Sequence, residues 1–187
     1  MMHRILVIDD NPAIHNDIRK ILARPEAGAT SLEDAETLLF GEKDEEDDKR
    51  IYFDIDSAFQ GQEGLELVKR ALDAKNPYAL AFVDVRMPPG WDGIETISRI
   101  WELYPELQVV ICTAYSDYSW EDITRKVGRS DSVLILKKPF DTGEVCQLAM
   151  ALTEKWHRFL VVDAPLSPMR IGRQPARSDR REGWDDL

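Results

Sequence analysis

The sequence predicts an α/β fold, a parallel sheet flanked by helices, on two observations. Apolar runs alternate five times with segments of helical period, as they do in strand–helix–strand units. Four of those runs also end directly in polar residues. Ile5–Ile8 leads into Asp9-Asp10, and Tyr78–Val83 into Asp84. Val109–Cys112 leads into Thr113-Ala114, and Val133–Leu136 into Lys137-Lys138-Pro139. In open α/β sheets the carboxyl ends of the strands are where ligands and chemistry collect.

The elements follow in order. Arg4–Ile8 reads as the first strand, and Pro12–Leu22 as a helix with Ile14, Ile18, Ile21 and Leu22 on one face and Asn11 as its cap. Ile51–Ala58 is predicted as the second strand, since Ile51, Phe53 and Ile55 alternate with Tyr52, Asp54 and Asp56. Its helix is Gly61–Asp73, with Leu65, Leu67, Val68 and Leu72 inward. Tyr78–Asp84 is apolar on both faces, as a central strand should be. Gly93–Tyr104 is helical through Ile94, Ile97, Ile100 and Trp101 and is stopped by Pro105. Gln108–Thr113 is the fourth strand, followed by a helix at about Ser119–Gly128. Val133–Lys137 is the fifth strand, and Asp141 caps a last helix reaching Trp156–Phe159.

Composition bounds the rest. A chain of 187 residues with 43% apolar content holds one domain with a core, read as residues 1–159, and extensions. Residues 26–50 form an acidic insert. Ten acidic and three basic residues give it a charge of −7, which leaves −4 for the remainder of a chain at −11. Within the insert Ser31–Phe40 has the spacing of a short helix, and Glu42–Lys49 reads as solvated loop. Residues 160–187, rich in proline and arginine and poor in apolar side chains, read as a disordered tail. No stretch approaches the about 18 apolar residues of a membrane span, and no leader is expected ahead of the first strand. The expected setting is cytoplasmic, with no membrane and no nucleic acid as partner, since the net charge opposes binding to phosphates. Cys112 and Cys146 read as small core hydrophobes, and His3, His15 and His157 as surface residues without metal spacing.

The strand ends carry the chemistry. Asp9 and Asp10 are adjacent acids that repel unless a cation neutralises them, and Mg²⁺ binds through such carboxylates. An acidic cap on the first helix is the equal alternative. Asp84 is the candidate nucleophile, since a carboxylate can attack phosphorus and form an aspartyl phosphate. Lys138 supplies a cation for the developing charge, while alternation sends Lys137 to the opposite face. Thr113 offers a hydroxyl to a phosphoryl oxygen, with space left by Ala114.

Ile5-Leu6-Val7-Ile8-Asp9-Asp10-Asn11, Asp84-Val85-Arg86-Met87-Pro88 with Asp92-Gly93, Thr113-Ala114 and Lys137-Lys138-Pro139-Phe140 together resemble the receiver domain of two-component response regulators of the chemotaxis-regulator type. The resemblance covers residues 1–159 apart from the insert. It implies a flavodoxin-like, doubly wound five-stranded sheet of order 2-1-3-4-5. It also implies that Asp84 is the phosphoacceptor, that Asp10 and Asp84 hold Mg²⁺, and that Asp9 supports the metal through water. The backbone carbonyl of Arg86 would complete the protein ligands, and Thr113 and Lys138 would contact the phosphoryl group. The implied partners are a sensor histidine kinase or phosphotransfer protein and a downstream protein target. A homodimer through the helix at about 119–128, the fifth strand and the last helix is also implied, and Trp120 and Ile123 are candidate surface residues there. The only reactions expected of the chain itself are phosphorylation and autodephosphorylation at Asp84.

Two departures stand out. The turn Pro88–Gly93 is one residue longer than usual, and Ile135 occupies the position where the family often has an aromatic switch. Tyr115 and Tyr118 are the candidate substitutes. The chain is alternatively the receiver portion of a larger hybrid kinase or cyclic-dinucleotide signalling protein. A remoter alternative is a haloacid-dehalogenase-like phosphatase using Asp54-Ile55-Asp56, although its acidic pair would then lie upstream of the nucleophile instead of downstream. No glycine-rich nucleotide-binding motif follows a strand.

Overall fold

The computed structural model describes residues 3–24, 51–114 and 131–162. Five parallel strands, β1 (Arg4–Ile8), β2 (Asp54–Ala58), β3 (Leu80–Asp84), β4 (Gln108–Thr113) and β5 (Val133–Lys137), form one sheet of order β2-β1-β3-β4-β5. The helices are α1 (Pro12–Leu22), α2 (Gly61–Asp73), α3 (Gly93–Leu103) and α4 (Thr142–Val162). This is the expected doubly wound order, with the chain reversing direction across the sheet between β1 and β3. The expected helices at 31–40 and 119–128, the acidic run, the tail and residues Tyr115, Tyr118, Trp120 and Ile123 lie outside the described residues.

Alternation along the strands builds two cores. Leu6, Ile8, Ala81, Val83, Val109 and Ile111 face α2 and α3, where Val68, Ile97, Ile100 and Trp101 close over them. Ile5, Val7, Leu80, Phe82, Val110 and Cys112 face α1 and α4, against Ile18, Leu22, Val145 and Ala149. All five residues of β3 are buried, as its position at the centre of the sheet requires. Each large aliphatic side chain removed from water here contributes about 1.5–3 kcal/mol.

Local chemistry sets the helix starts. The Asn11 side chain accepts from the Ala13 amide at 3.0 Å with Pro12 at the first turn, and Asp92 Oδ1 accepts from Glu95 at 2.7 Å. Asp141 Oδ1 accepts from Gly143 and Glu144. Such caps are each worth about 1 kcal/mol. Gly93 is required by close approach, because a Cβ there would lie 2.2 Å from the Asp84 carbonyl oxygen. The start of α3 is thereby pressed against the end of β3.

Four boundaries and the burial of the three histidines differ from expectation. β2 begins at Asp54 instead of Ile51, since its ladder starts with the pair Arg4–Asp54. Ile51 is exposed, and Phe53 is buried on the core facing α1, its amide bonded to the Leu22 carbonyl. The apolar alternation there records contact with the end of α1, not strand pairing. β3 begins at Leu80; Tyr78 turns its hydroxyl to Asp56 and Arg4. Tyr104 caps α3 from outside the helix and accepts a hydrogen bond from Trp156 Nε1 at 2.7 Å, and α4 runs on to Val162. His15 is a buried residue, not a surface one, and His3 and His157 are half-buried, with ring centroids 5.7 Å apart.

Candidate functional site

Strand register assembles the site. Ile8 pairs with Val83, so Asp9 emerges beside Asp84. Asp84 pairs with Cys112, and Thr113 with Lys137, which brings the ends of β4 and β5 to the same edge. Lys138 continues the ladder, its amide donating to the Thr113 carbonyl at 2.9 Å. In the alternation of β5, Lys138 shares its face with Leu136, and that is the face of Asp84 and Cys112. Lys137 is exposed on the other.

The centre is a bridged pair of buried carboxylates. Lys138 Nζ donates to Asp84 Oδ1 at 2.6 Å and to Asp9 Oδ2 at 2.7 Å. Asp9 is almost fully buried, Asp84 nearly so, and Asp10 beside them is exposed. Oxygen atoms of the three carboxylates lie within 4.8 Å of one another. The Arg86 amide donates to Asp84 Oδ2 at 3.0 Å, and the Asn11 amide to Asp9 Oδ1 at 2.9 Å. Thr113 is buried at the rim, its hydroxyl donating to the Ala114 carbonyl at 2.9 Å. Three carboxylates with one ammonium between them leave an excess of negative charge. A donor set made only of oxygen fits a hard divalent cation such as Mg²⁺.

Both partners of the central ion pair have raised pKa values. Burial raises Asp84 most, and the neighbouring Asp9 adds to it; the bonds from Lys138 and the Arg86 amide offset only part. For Lys138, burial works downward, but the bonds to Asp84 and Asp9 outweigh it and hold the ammonium charged. Lys138 is shared between two carboxylates, so neither receives its full compensation. The raised Asp84 has a definite consequence. Above the ordinary carboxylate range the folded chain holds a proton that the unfolded chain has already released. Unfolding free energy therefore falls as pH rises through that window. In Mg²⁺-free buffer, urea titrations should show this downward slope in wild type, and the Asp84→Asn variant should lack that part of it. Equal slopes in the two proteins would show that Asp84 titrates normally.

The sequence-predicted residues Asp9, Asp10, Asp84, Thr113 and Lys138 are thus gathered at one edge, with the main chain of Arg86 beside them. Asp54 and Asp56 are not. Asp54 pairs with Arg4 at the opposite end of β1, and Asp56 is held by Arg4 at 2.5 Å and Tyr78 at 2.8 Å. Ile135 is partly buried against the α2–α3 core. Sequence reasoning missed His15, whose Nε2 lies 2.7 Å from the Asp9 carbonyl oxygen. The signal was there in its spacing with Ile18 and Leu22, one buried stripe of α1.

Known proteins resemble this chain in sequence and in fold. The response regulator receiver domain family matches residues 47–150, more than half of the chain. The DNA-binding transcriptional regulator NtrC of Escherichia coli K12 is 34% identical over 147 residues, and that of Salmonella typhimurium is 31% identical over 147 residues. The response regulator protein PilR of Pseudomonas aeruginosa is 28% identical over 126 residues, covering 67% of this chain and 26% of PilR. The NtrC alignments cover 72% of this chain but only 30% of the relative. Among solved structures, a CheY-like receiver domain protein from Methanospirillum hungatei superposes with a TM-score of 0.57 at 18% identity, covering 84% of this chain and 98% of its own. NtrX from Brucella abortus in complex with ADP gives 0.59 at 21% identity, covering 90% and 31%. These likenesses show the fold. With the family match across the centre of the chain, they lead to one conclusion: this chain belongs to the response regulator receiver domain family, the receiving module of two-component signalling.

Proposed function

We propose that Asp84 is the phosphoacceptor of this chain, taking a phosphoryl group from the phosphohistidine of a sensor histidine kinase or phosphotransfer protein. The observation that carries this reading is the Lys138 ammonium bridging Asp84 and Asp9, with Asp10 alongside. A carboxylate oxygen of Asp84 attacks phosphorus, and the phosphorus–nitrogen bond of the donor breaks. The electron pair leaves with the imidazole, which takes a proton from solvent, and an acyl phosphate remains on Asp84. Asp9, Asp10, Asp84 and the main-chain carbonyl of Arg86 would hold Mg²⁺. Bound there, Mg²⁺ supplies the positive charge that neutralises the crowded carboxylates and the phosphoryl oxygens.

The residues of the chain do the rest. Lys138 releases one of its two carboxylates to meet a phosphoryl oxygen. Thr113 exchanges its bond to the Ala114 carbonyl for one to another such oxygen. The Arg86 amide keeps the Asp84 carboxylate aimed out of the sheet. Phosphorylation adds roughly two negative charges at this edge. It shifts the conformation only by binding one state of the domain more tightly than the other, and that shift regulates a protein partner. Beyond this self-phosphorylation and its reversal, no enzymatic activity is assigned to the chain, and its proposed setting is the cytoplasm. No helix among the described residues is long and apolar enough to cross a membrane.

Incubation with acetyl phosphate tests the reading. With Mg²⁺, intact mass should rise by one phosphoryl group, and EDTA should abolish the gain. Uptake that is indifferent to EDTA would remove the metal from the account.

A further inference from the structure

His15 is 2% exposed, yet it is polar and lies between the ends of β1 and β2. Its Nε2 is 2.7 Å from the main-chain carbonyl oxygen of Asp9, its Nδ1 is 2.9 Å from Ser57 Oγ, and its ring packs 4.6 Å from that of Phe59. One turn along α1, Arg19 Nη2 donates to Ser57 Oγ at 2.9 Å. A carbonyl only accepts, so Nε2 carries the hydrogen. A guanidinium only donates, so Ser57 Oγ accepts from Arg19, and the same hydroxyl is hydrogen-bonded to His15 Nδ1. The hydrogen bonds thus link Arg19, Ser57, His15 and the Asp9 carbonyl in one chain.

The end of this chain is the peptide joining Asp9 to Asp10. The Asp9 amide is fixed by the Ala58 carbonyl at 3.1 Å, and its carboxylate by Asn11 and Lys138. Its carbonyl accepts from His15. The orientation of that peptide plane sets where Asp10 leaves the strand. Asp10 is exposed, so its carboxylate depends on the main chain for its direction.

We propose that His15 is a positioning residue for cation binding: it holds the Asp9–Asp10 peptide so that the Asp10 carboxylate converges with those of Asp9 and Asp84. This rests on the reading of those carboxylates as the Mg²⁺ site. Groups that orient metal ligands in this way typically change affinity by about 10–100-fold when removed.

The test uses the full chain with His15→Phe, which keeps the ring volume and loses both hydrogen bonds, and His15→Gln, which keeps an N–H donor and an oxygen. Calorimetric titration with Mg²⁺ alone should show affinity about tenfold weaker in H15F and within about threefold of wild type in H15Q. At saturating Mg²⁺ the phosphorylation rate from acetyl phosphate should return to within about twofold of wild type, a split that general loosening of the fold would not produce. Ser57→Ala, which leaves the core intact, should weaken Mg²⁺ binding in the same direction and keeps the test open if H15F does not fold. Wild-type affinity in H15F, in S57A, or equal weakening in H15F and H15Q would overturn the role of His15. A wild-type chain that binds no Mg²⁺ would instead remove the reading of the site, and this proposal with it.

Discussion

Asp84→Asn is expected to gain no phosphoryl group from acetyl phosphate and Mg²⁺ under conditions that label the wild type fully. An amide oxygen is too weak a nucleophile to form the acyl phosphate, and neither of the other carboxylates in the cluster combines the Lys138 contact with the same access to a donor. Asp9, held like Asp84 by Lys138 and a main-chain amide, is the more deeply buried of the two, and Asp10 is exposed, with no bond to Lys138 among the described residues. The variant should fold. Asparagine keeps an oxygen for the Arg86 amide, which now bonds Asp84 at 3.0 Å. Because burial and Asp9 raise the pKa of Asp84, its ionised form is disfavoured in the folded chain. Replacing it with a neutral isostere should therefore leave stability at neutral pH, without Mg²⁺, equal to or above that of wild type. A variant that is folded and silent separates loss of the acceptor from loss of the domain.

Lys138→Met is the second large effect, and its components have opposite signs. Methionine fills the volume but removes the charge between two buried carboxylates. Breaking a fully buried ion pair costs about 3–5 kcal/mol. Here the Lys138 side chain is 23% exposed and the cluster opens onto solvent at Asp10, so about 2 kcal/mol is expected without Mg²⁺. Mg²⁺ should restore most of it, because a cation that binds only the folded state stabilises by mass action. Affinity for Mg²⁺ should rise, since the ammonium no longer competes for Asp9 and Asp84. Phosphorylation should nevertheless slow by about 10²–10³-fold, the typical loss when one charge-stabilising donor is removed from a reacting group. Urea unfolding with and without Mg²⁺, together with rates by intact mass, measures all three. Tighter metal binding combined with wild-type phosphorylation would leave Lys138 as a counter-ion only.

The parts of the fold legible in sequence are those set locally. Each strand that ends at the site runs from apolar to polar within a few residues, so Asp9, Asp84, Thr113 and Lys138 were identifiable one strand at a time. The assignment of Lys138 over Lys137 needed only the two-residue period of a strand. What was not legible depends on how distant segments meet. Phe53 looked like a strand residue because it alternates with polar neighbours, but its amide bonds to the Leu22 carbonyl at the end of α1, ahead of the first ladder pair. The double pairing of Lys138 requires the registers of β1, β3, β4 and β5 together. His15 looked like a surface histidine beside Asn16 and Asp17. Its partners Ser57 and Asp9 come from other strands, and only its spacing with Ile18 and Leu22 hinted at burial. Ile135, at the position where the resemblance led to an aromatic side chain being expected, packs partly buried against the α2–α3 core.

The most direct test of the central claim is the position of the phosphoryl group itself. An aspartyl phosphate is an acyl phosphate, and borohydride reduces it to homoserine at the modified position. After labelling with acetyl phosphate and Mg²⁺, reduction and peptide mass mapping, homoserine is predicted at position 84 and at no other aspartate. Homoserine at position 9, 10, 54 or 56, with Asp84 unmodified, would contradict the account.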